Sequence, residues 1–176
     1  MEGASSVKWI SSNGGPLILL PTSRAGKWGG ASPERVSVGP PRSTDYQRAC
    51  ETDQYLGIIT IGDLEVLVFG NEPMQTAWIP SGQAHGGMFI RWEHAENESS
   101  IIDCASRVID SEFHSNGLVF EATEESFYLI DAAIPGSDLD RERAFVVSLR
   151  PARYMLETAT CRKDRIAAVI HRLRSE

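Results

Sequence analysis

The chain has 176 residues, is 41% hydrophobic and carries a formal net charge of −7. That length suits one domain over 1–176, or two abutting lobes of about 1–93 and 94–176, with ample apolar content for a core. No stretch approaches the roughly 18–20 apolar residues of a membrane span. The opening Met1–Ser6 lacks a basic region and an apolar signal core, so a soluble cytoplasmic protein without membrane contact is expected.

Val7 to Leu20 reads as two short strands joined by Asn13-Gly14-Gly15-Pro16. Gly14 and Gly15 permit positive φ, and Pro16 fixes φ where the second strand begins. Leu17-Ile18-Leu19-Leu20, closed by Pro21, is a core strand. No helix and no Lys-Ser/Thr pair follows the glycines, so the turn is not a phosphate loop. Thr22 to Ser43 is a long loop rich in Gly, Pro and Ser, with one strand around Arg35 to Val38. Within it, Trp28 reads as an anchor onto the core, with an exposed contact as the alternative. Thr44-Asp45-Tyr46-Gln47 is a capping box that opens a short helix to about Asp53. Tyr46, Ala49 and Cys50 have the spacing of its buried face.

Ile58 to Trp92 reads as an antiparallel meander. Ile58–Ile61 and Leu64–Phe69 flank Gly62-Asp63, which suits a type II′ hairpin. Gly70-Asn71-Glu72-Pro73 turns into Gln75–Ile79, and a loop from Pro80 ends at Gly86-Gly87. In the next strand Met88, Ile90 and Trp92 alternate inward against Phe89 and Arg91. Asn97 to Asp110 is the clearest helix, with Ile101, Ile102, Ala105, Val108 and Ile109 on one stripe. Asn97 caps it, Glu98 sits in its first turn, and Asp103 and Arg107 pair on its outer face. Leu118–Ala122 and Phe127–Ala132 form a hairpin around Thr123–Ser126, and Pro135–Arg143 is a charged loop. Ala144–Leu149, Arg153–Thr160 and Arg165–Leu173 are three further strands. The last also fits a helical stripe, and periodicity alone does not choose between them. The fold class expected is α+β, mainly antiparallel β with two short helices and a second β lobe.

The chemistry-bearing residues are scattered. Cys50, Cys104 and Cys161 form no Cys-x-x-Cys pair, which points to buried free thiols rather than a disulfide framework or zinc site. His85, His94, His114 and His171 have no partner at helical metal spacing; His94 with Glu96 or His114 supplies too few ligands for zinc. No nucleophile elbow is present. Cys104 lies among acids and toward an apolar face, a poor setting for a thiolate. The expectation is therefore no catalytic residues, no metal and no cofactor.

Charge distribution is the feature above background. Between Glu93 and Glu125 lie nine acids and one base, Arg107, so this segment carries −8 and the rest about +1. Such a face repels phosphate and attracts a basic partner. The candidate contact acids are Glu96, Glu98, Asp103, Asp110 and Glu112, with Trp28 and Phe113 as candidate aromatic anchors.

Trp9-Ile10 ahead of Gly14-Gly15-Pro16-Leu17-Ile18-Leu19 resembles the opening of the immunity protein 21 family of bacterial polymorphic toxin systems. Asp45–Cys50, Tyr55-Leu56-Gly57, Gly70-Asn71-Glu72-Pro73, Ala77-Trp78-Ile79-Pro80, and Gly86-Gly87 leading to Arg91-Trp92 follow in the same order. The resemblance runs from about Trp9 to about Thr158. It implies a non-enzymatic protein that binds and neutralises the C-terminal domain of a cognate toxin by one-to-one occlusion. A basic nuclease is the toxin class that the acidic segment suits, and nucleic acid itself is not the partner. Two other classes remain: a small-molecule-binding β domain with a pocket between the meander and the 22–43 loop, and a hydrolase with an unrecognised site. The sequence leaves the oligomeric state open.

Overall fold

The computed structural model describes residues 7–34, 43–81, 86–142 and 144–176. Eleven strands run in the order β1 (Trp9–Ile10), β2 (Leu17–Pro21), β3 (Gly57–Ile61), β4 (Leu64–Phe69), β5 (Gln75–Pro80), β6 (Gly87–His94), β7 (His114–Ala122), β8 (Ser126–Asp131), β9 (Phe145–Ser148), β10 (Ala152–Lys163) and β11 (Ile166–Ser175). Helix α1 (Asp45–Cys50) precedes β3, and α2 (Glu98–Ser106) joins β6 to β7. Short 3-10 turns occupy Thr22–Lys27, Asp110–Glu112 and Gly136–Asp138. The expected strand at Arg35–Val38 lies outside the described residues.

The strands form two antiparallel sheets, ordered β1-β5-β6-β11-β10-β7 and β3-β4-β2-β8-β9. They pack face to face. Phe69 of β4 meets Phe89 of β6 edge to face at 4.8 Å, and Phe120 of β7 meets Phe127 of β8 at 5.7 Å. Leu17, Leu19, Leu67, Leu129, Tyr154 and Leu156 complete this inter-sheet core. The opposite face of the second sheet, with Ile18, Leu20, Val66, Val68 and Ile130, is covered by Ala25, Trp28 and Ala49. The opposite face of the first sheet, with Ile90, Ala168 and Ile170, is covered by Ile101 and Ala105 of α2. The result is four layers, and both central sheets are buried on both faces. This explains the unbroken Leu17–Leu20 run, since a strand covered on both sides has no polar alternation.

The expected α+β class, mainly antiparallel β with short helices, is what the chain adopts. Several local expectations hold. Gly62 takes φ 61° while Asp63 stays negative, as the hairpin turn demands. The Thr44 hydroxyl accepts from the Gln47 amide, and the Gln47 side chain accepts from the Thr44 amide. Asn97 caps α2 by accepting from the Ser100 amide at 2.9 Å. Residues 166–175, which periodicity leaves open between strand and helix, form a strand paired with β10 on one side and β6 on the other. Trp28 is fully buried, so of the two roles weighed for it only the core anchor survives.

Other expectations are corrected. The meander divides: β3 and β4 enter the second sheet, β5 and β6 the first. Likewise Thr123–Glu125 is a corner rather than a hairpin turn, because β7 pairs with β10 and β8 with β2 and β9. Both sheets draw strands from both sides of residue 93. Phe89 faces the inter-sheet core while Met88, Ile90 and Trp92 face the α2 layer, so both sides of β6 are inward. Helix α2 stops at Ser106, and Ile109, expected on its apolar stripe, is 62% exposed. On α1 it is Asp45 and Ala49 that are buried, and Cys50 is an exposed free thiol. Cys104 and Cys161 are not free thiols; they form a disulfide across 57 residues, with Cα atoms 6.1 Å apart. Their separation in sequence hides a contact made only when α2 lies across β10.

The inter-sheet core also holds two polar groups. His171 of β11 is fully buried; its Nδ1 meets the Thr158 hydroxyl at 2.9 Å, which in turn accepts from Asn116 at 3.0 Å. Burial, and secondarily the Arg91 charge, holds the imidazole well below its ordinary pKa, so it is neutral in the fold. The unfolded chain therefore binds a proton near pH 6.5 that the folded chain refuses. Stability is expected to be flat above about pH 7.5 and to fall as pH drops through 6.5, approaching about 1.4 kcal/mol per pH unit from this group. Urea midpoints between pH 8 and 5 read the slope. A His171 proton resonance titrating near pH 6.5 in the folded protein would contradict it.

Candidate functional site

Helix α2 and the β10–β11 hairpin enclose a groove of about 490 Å³. Its walls include Ser100, Asp103, Cys104 and Arg107 from α2 and its cap, Glu112 from the following turn, and Thr160 to Asp164 from the hairpin. The helix lies here because Ile101, Cys104 and Ala105 are its buried residues. Two small side chains among these three let the helix approach the sheet closely, and the Cys104–Cys161 bridge ties it to β10.

Of the five acids singled out from the sequence, two reach this groove and three are outside its lining. Asp103 and Glu112 line it. Asp103 faces Arg107 at 3.9 Å with both side chains well exposed, an ion pair worth only about 0.3–0.5 kcal/mol. The Glu112 carboxylate accepts from the Ile109 amide at 2.8 Å, which closes the 3-10 turn. Glu96 faces Arg165 at 3.9 Å at the hairpin end. Glu98 accepts from the Val7 amide at 3.0 Å and so ties down the start of the described chain. Asp110 is 94% exposed at its side chain and bonds Arg172.

The surface is consequently of mixed charge, a correction to the run of acids seen in the sequence. Residues 150–176 hold seven bases and three acids, and β10 and β11 lay them against the acidic segment. Arg162 forks onto both Glu93 carboxylate oxygens at 2.9 Å. Arg172 is shared between Asp110 and the buried Glu157, and lies 4.0 Å from the Phe113 ring centroid. Partial burial opposes its charge, but those two carboxylates hold its pKa above the ordinary arginine value. Phe113 is half-buried beneath this guanidinium, and Trp28 is far inside the other outer layer, so neither is an open aromatic anchor.

The exposed apolar side chain that helical periodicity does not reveal is Ile109. Helix α2 ends with 3-10 bonds, from the Arg107 amide to Cys104 and from the Val108 amide to Ala105. Ile109 then turns extended, and its side chain stands in solvent beside Asp110 and Glu112. The available signal was the clustered Asp110-Ser111-Glu112, which favours a new capped turn over continued helix.

Some of the segments that carry the family resemblance meet in a different place. Arg91 of β6 is 1% exposed, and its guanidinium donates to the carbonyls of Tyr55 at 3.2 Å, Gly70 at 2.9 Å and Glu72 at 2.7 Å. Burial pushes its pKa down to about 10, still cationic at neutral pH. At Gly70 a side chain would meet the Gln54 and Thr52 carbonyls at 2.4 and 2.6 Å, so only glycine permits this approach. The Gly15 backbone lies against the Tyr46 ring in the same way. Tyr55, Gly70, Glu72 and Arg91 thus form one structural knot, while Gly87 packs against Trp78 and Ile79 elsewhere in the first sheet.

Among the described residues no three His, Cys, Asp or Glu side chains group as a metal site. No described helix is long and apolar enough to cross a membrane. The model of the immunity protein 21 family matches residues 8–166. The chain belongs to that family. No curated protein and no solved structure matches it. Membership of the immunity protein 21 family carries an immunity role and binding of a cognate toxin in general terms.

Proposed function

We propose that this protein neutralises a cognate toxin by one-to-one, non-catalytic occlusion in the cytoplasm, docking the toxin's C-terminal domain on the surface around α2. The family match over residues 8–166 is the observation that carries the reading. That surface holds a groove and, on the turn after α2, an exposed aliphatic side chain, Ile109, flanked by Asp110 and Glu112. Ile109 would insert into the partner and supply residence time, as desolvated apolar anchors do. Glu96, Glu98, Asp103, Asp110 and Glu112 would set the rate of encounter with a basic toxin domain, a nuclease being the class such charge suits. Because neighbouring arginines offset part of this charge, steering comes from local carboxylates rather than from a uniform acidic field.

The test starts by capturing the toxin domain from source-cell lysate on the tagged chain at low salt and at about 0.5 M, where exposed charges are strongly screened. With that domain in hand, reversing Asp103 and Asp110 to Lys is expected to slow association about tenfold or more and to flatten its salt dependence. Ile109→Ser is expected to act on dissociation instead. Unchanged association and dissociation in both variants would remove this surface from the interface, and the absence of any one-to-one toxin complex would overturn the immunity mechanism proposed.

A further inference from the structure

We propose that Cys104 and Cys161 are a thiol–disulfide latch that sets how firmly α2 is held over its groove, closed by a low-molecular-weight disulfide and opened by a thiol. Two observations carry it, the place of the pair and the shortness of the helix. The pair sits in the groove wall rather than in a sealed core: Cys104 is 7% exposed and Cys161 is half-buried. Arg107, Arg162 and Lys163 line the same groove opposite Asp103, Glu112 and Asp164, so its charge is balanced and a small disulfide reagent meets no net repulsion there. Finally, α2 has only nine residues, too few to persist as an isolated helix, so its position depends on its attachments. Apart from the bridge, its buried residues are Ile101 and Ala105.

The chemistry balances without a further reactant. The more accessible Cys161 thiolate attacks one sulfur of glutathione disulfide, forming a mixed disulfide and releasing one glutathione. The Cys104 thiolate then attacks the Cys161 sulfur and displaces the second glutathione. The two cysteines lose two electrons, the glutathione disulfide gains them, and the two thiol protons leave on the two glutathiones. Excess thiol reverses both steps. Persistent disulfides belong to oxidising compartments, so in a reducing interior the latch stands open and closes under oxidation. The consequence for a docked toxin rests on the interface reading above; the latch itself does not.

The experiment uses the full chain alone, equilibrated with reduced or with oxidised glutathione. Peptide mapping is expected to show a Cys104–Cys161 cross-link only in the oxidised sample, with Cys50 outside it. Amide hydrogen exchange over residues 98–108 is expected to be at least threefold slower in the oxidised form. Cys161→Ser is expected to exchange at the fast rate under both conditions, and Cys50→Ser to keep the switch. A cross-link that never forms, glutathione adducts in its place, or exchange rates within threefold of each other would each overturn the latch. None of these readouts needs the toxin, so a failed capture and a failed latch are separate results.

Discussion

Trp28→Ala is expected to lower the unfolding free energy by about 3–5 kcal/mol, a large part of the roughly 5–15 kcal/mol a domain possesses. Trp28 is 0% exposed and belongs to the cluster of Ile18, Leu20, Val66, Val68 and Ile130 on the outer face of the second sheet. Its indole Nε1 donates to the Ala132 carbonyl at 2.9 Å, and its own carbonyl accepts from the Gly136 amide at 2.9 Å. The next residues extend the same attachment. The Gly29 amide donates to Asp45 at the start of α1, and the Gly30 carbonyl accepts from the Tyr46 amide. Truncation therefore opens a cavity and orphans a buried carbonyl at once. Trp28→Phe refills much of the volume but leaves Ala132 unpaired, so it should cost less, about 1–3 kcal/mol. Urea unfolding of both variants measures the difference. A loss under 1 kcal/mol for the alanine variant would mean this layer does not support the fold as described.

Arg91→Met is expected to cost about 2–4 kcal/mol and to loosen two loops in particular. Two effects oppose each other. Removing a buried guanidinium recovers its desolvation cost, and such replacements are sometimes neutral. Here the acceptors decide the sign. The Tyr55, Gly70 and Glu72 carbonyls belong to two turns; without Arg91 the Tyr55 carbonyl keeps the Gly70 amide, while Gly70 and Glu72 lose this donor, at about 1–3 kcal/mol apiece if nothing replaces it. Entry of water at the partly buried Tyr55 and Glu72 contacts offsets some of that cost. Arg91→Lys keeps the charge but not the fork, so it should recover only part of the loss. Denaturant midpoints give the stability. Hydrogen exchange should quicken at Gly70 and Asn71, whose amides bond Tyr55 and Thr52. Equal protection of those amides in Arg91→Met would break the link between Arg91 and these turns.

Charge reversal at Asp103 and Asp110 acts on exposed groups, where stability changes little and encounter rate changes most. Asp110→Lys also sets a lysine against Arg172, so thermal stability of the double variant should be followed alongside binding. A slowed association at unchanged stability is the result that speaks for the interface.

Local features were legible in the sequence because their causes are local. The capping box at Thr44–Gln47, the Asn97 cap, the Gly62-Asp63 turn and the buried Leu17–Leu20 run each follow from a few neighbouring residues, and each is present. The antiparallel β class followed from many short apolar runs parted by turn residues. Among the candidate contacts, the five acids were legible as a run of charge, but not the distant arginines that meet Glu96 and Asp110.

What only the tertiary structure decided involves partners distant along the chain. The sequence shows that residues 118–131 hold two strands and a turn, yet not that the turn is a corner sending β8 to the other sheet. Strand pairing is chosen by which faces can be buried together, and no local signal records that choice. The same holds for charge and sulfur. Arg162, Arg165 and Arg172 meet Glu93, Glu96 and Asp110 across about 60–70 residues, and Cys104 meets Cys161 across 57. Composition and local pattern set the elements; packing of both faces of both sheets set which residues became neighbours, and with them the groove, the mixed charge and the exposed Ile109.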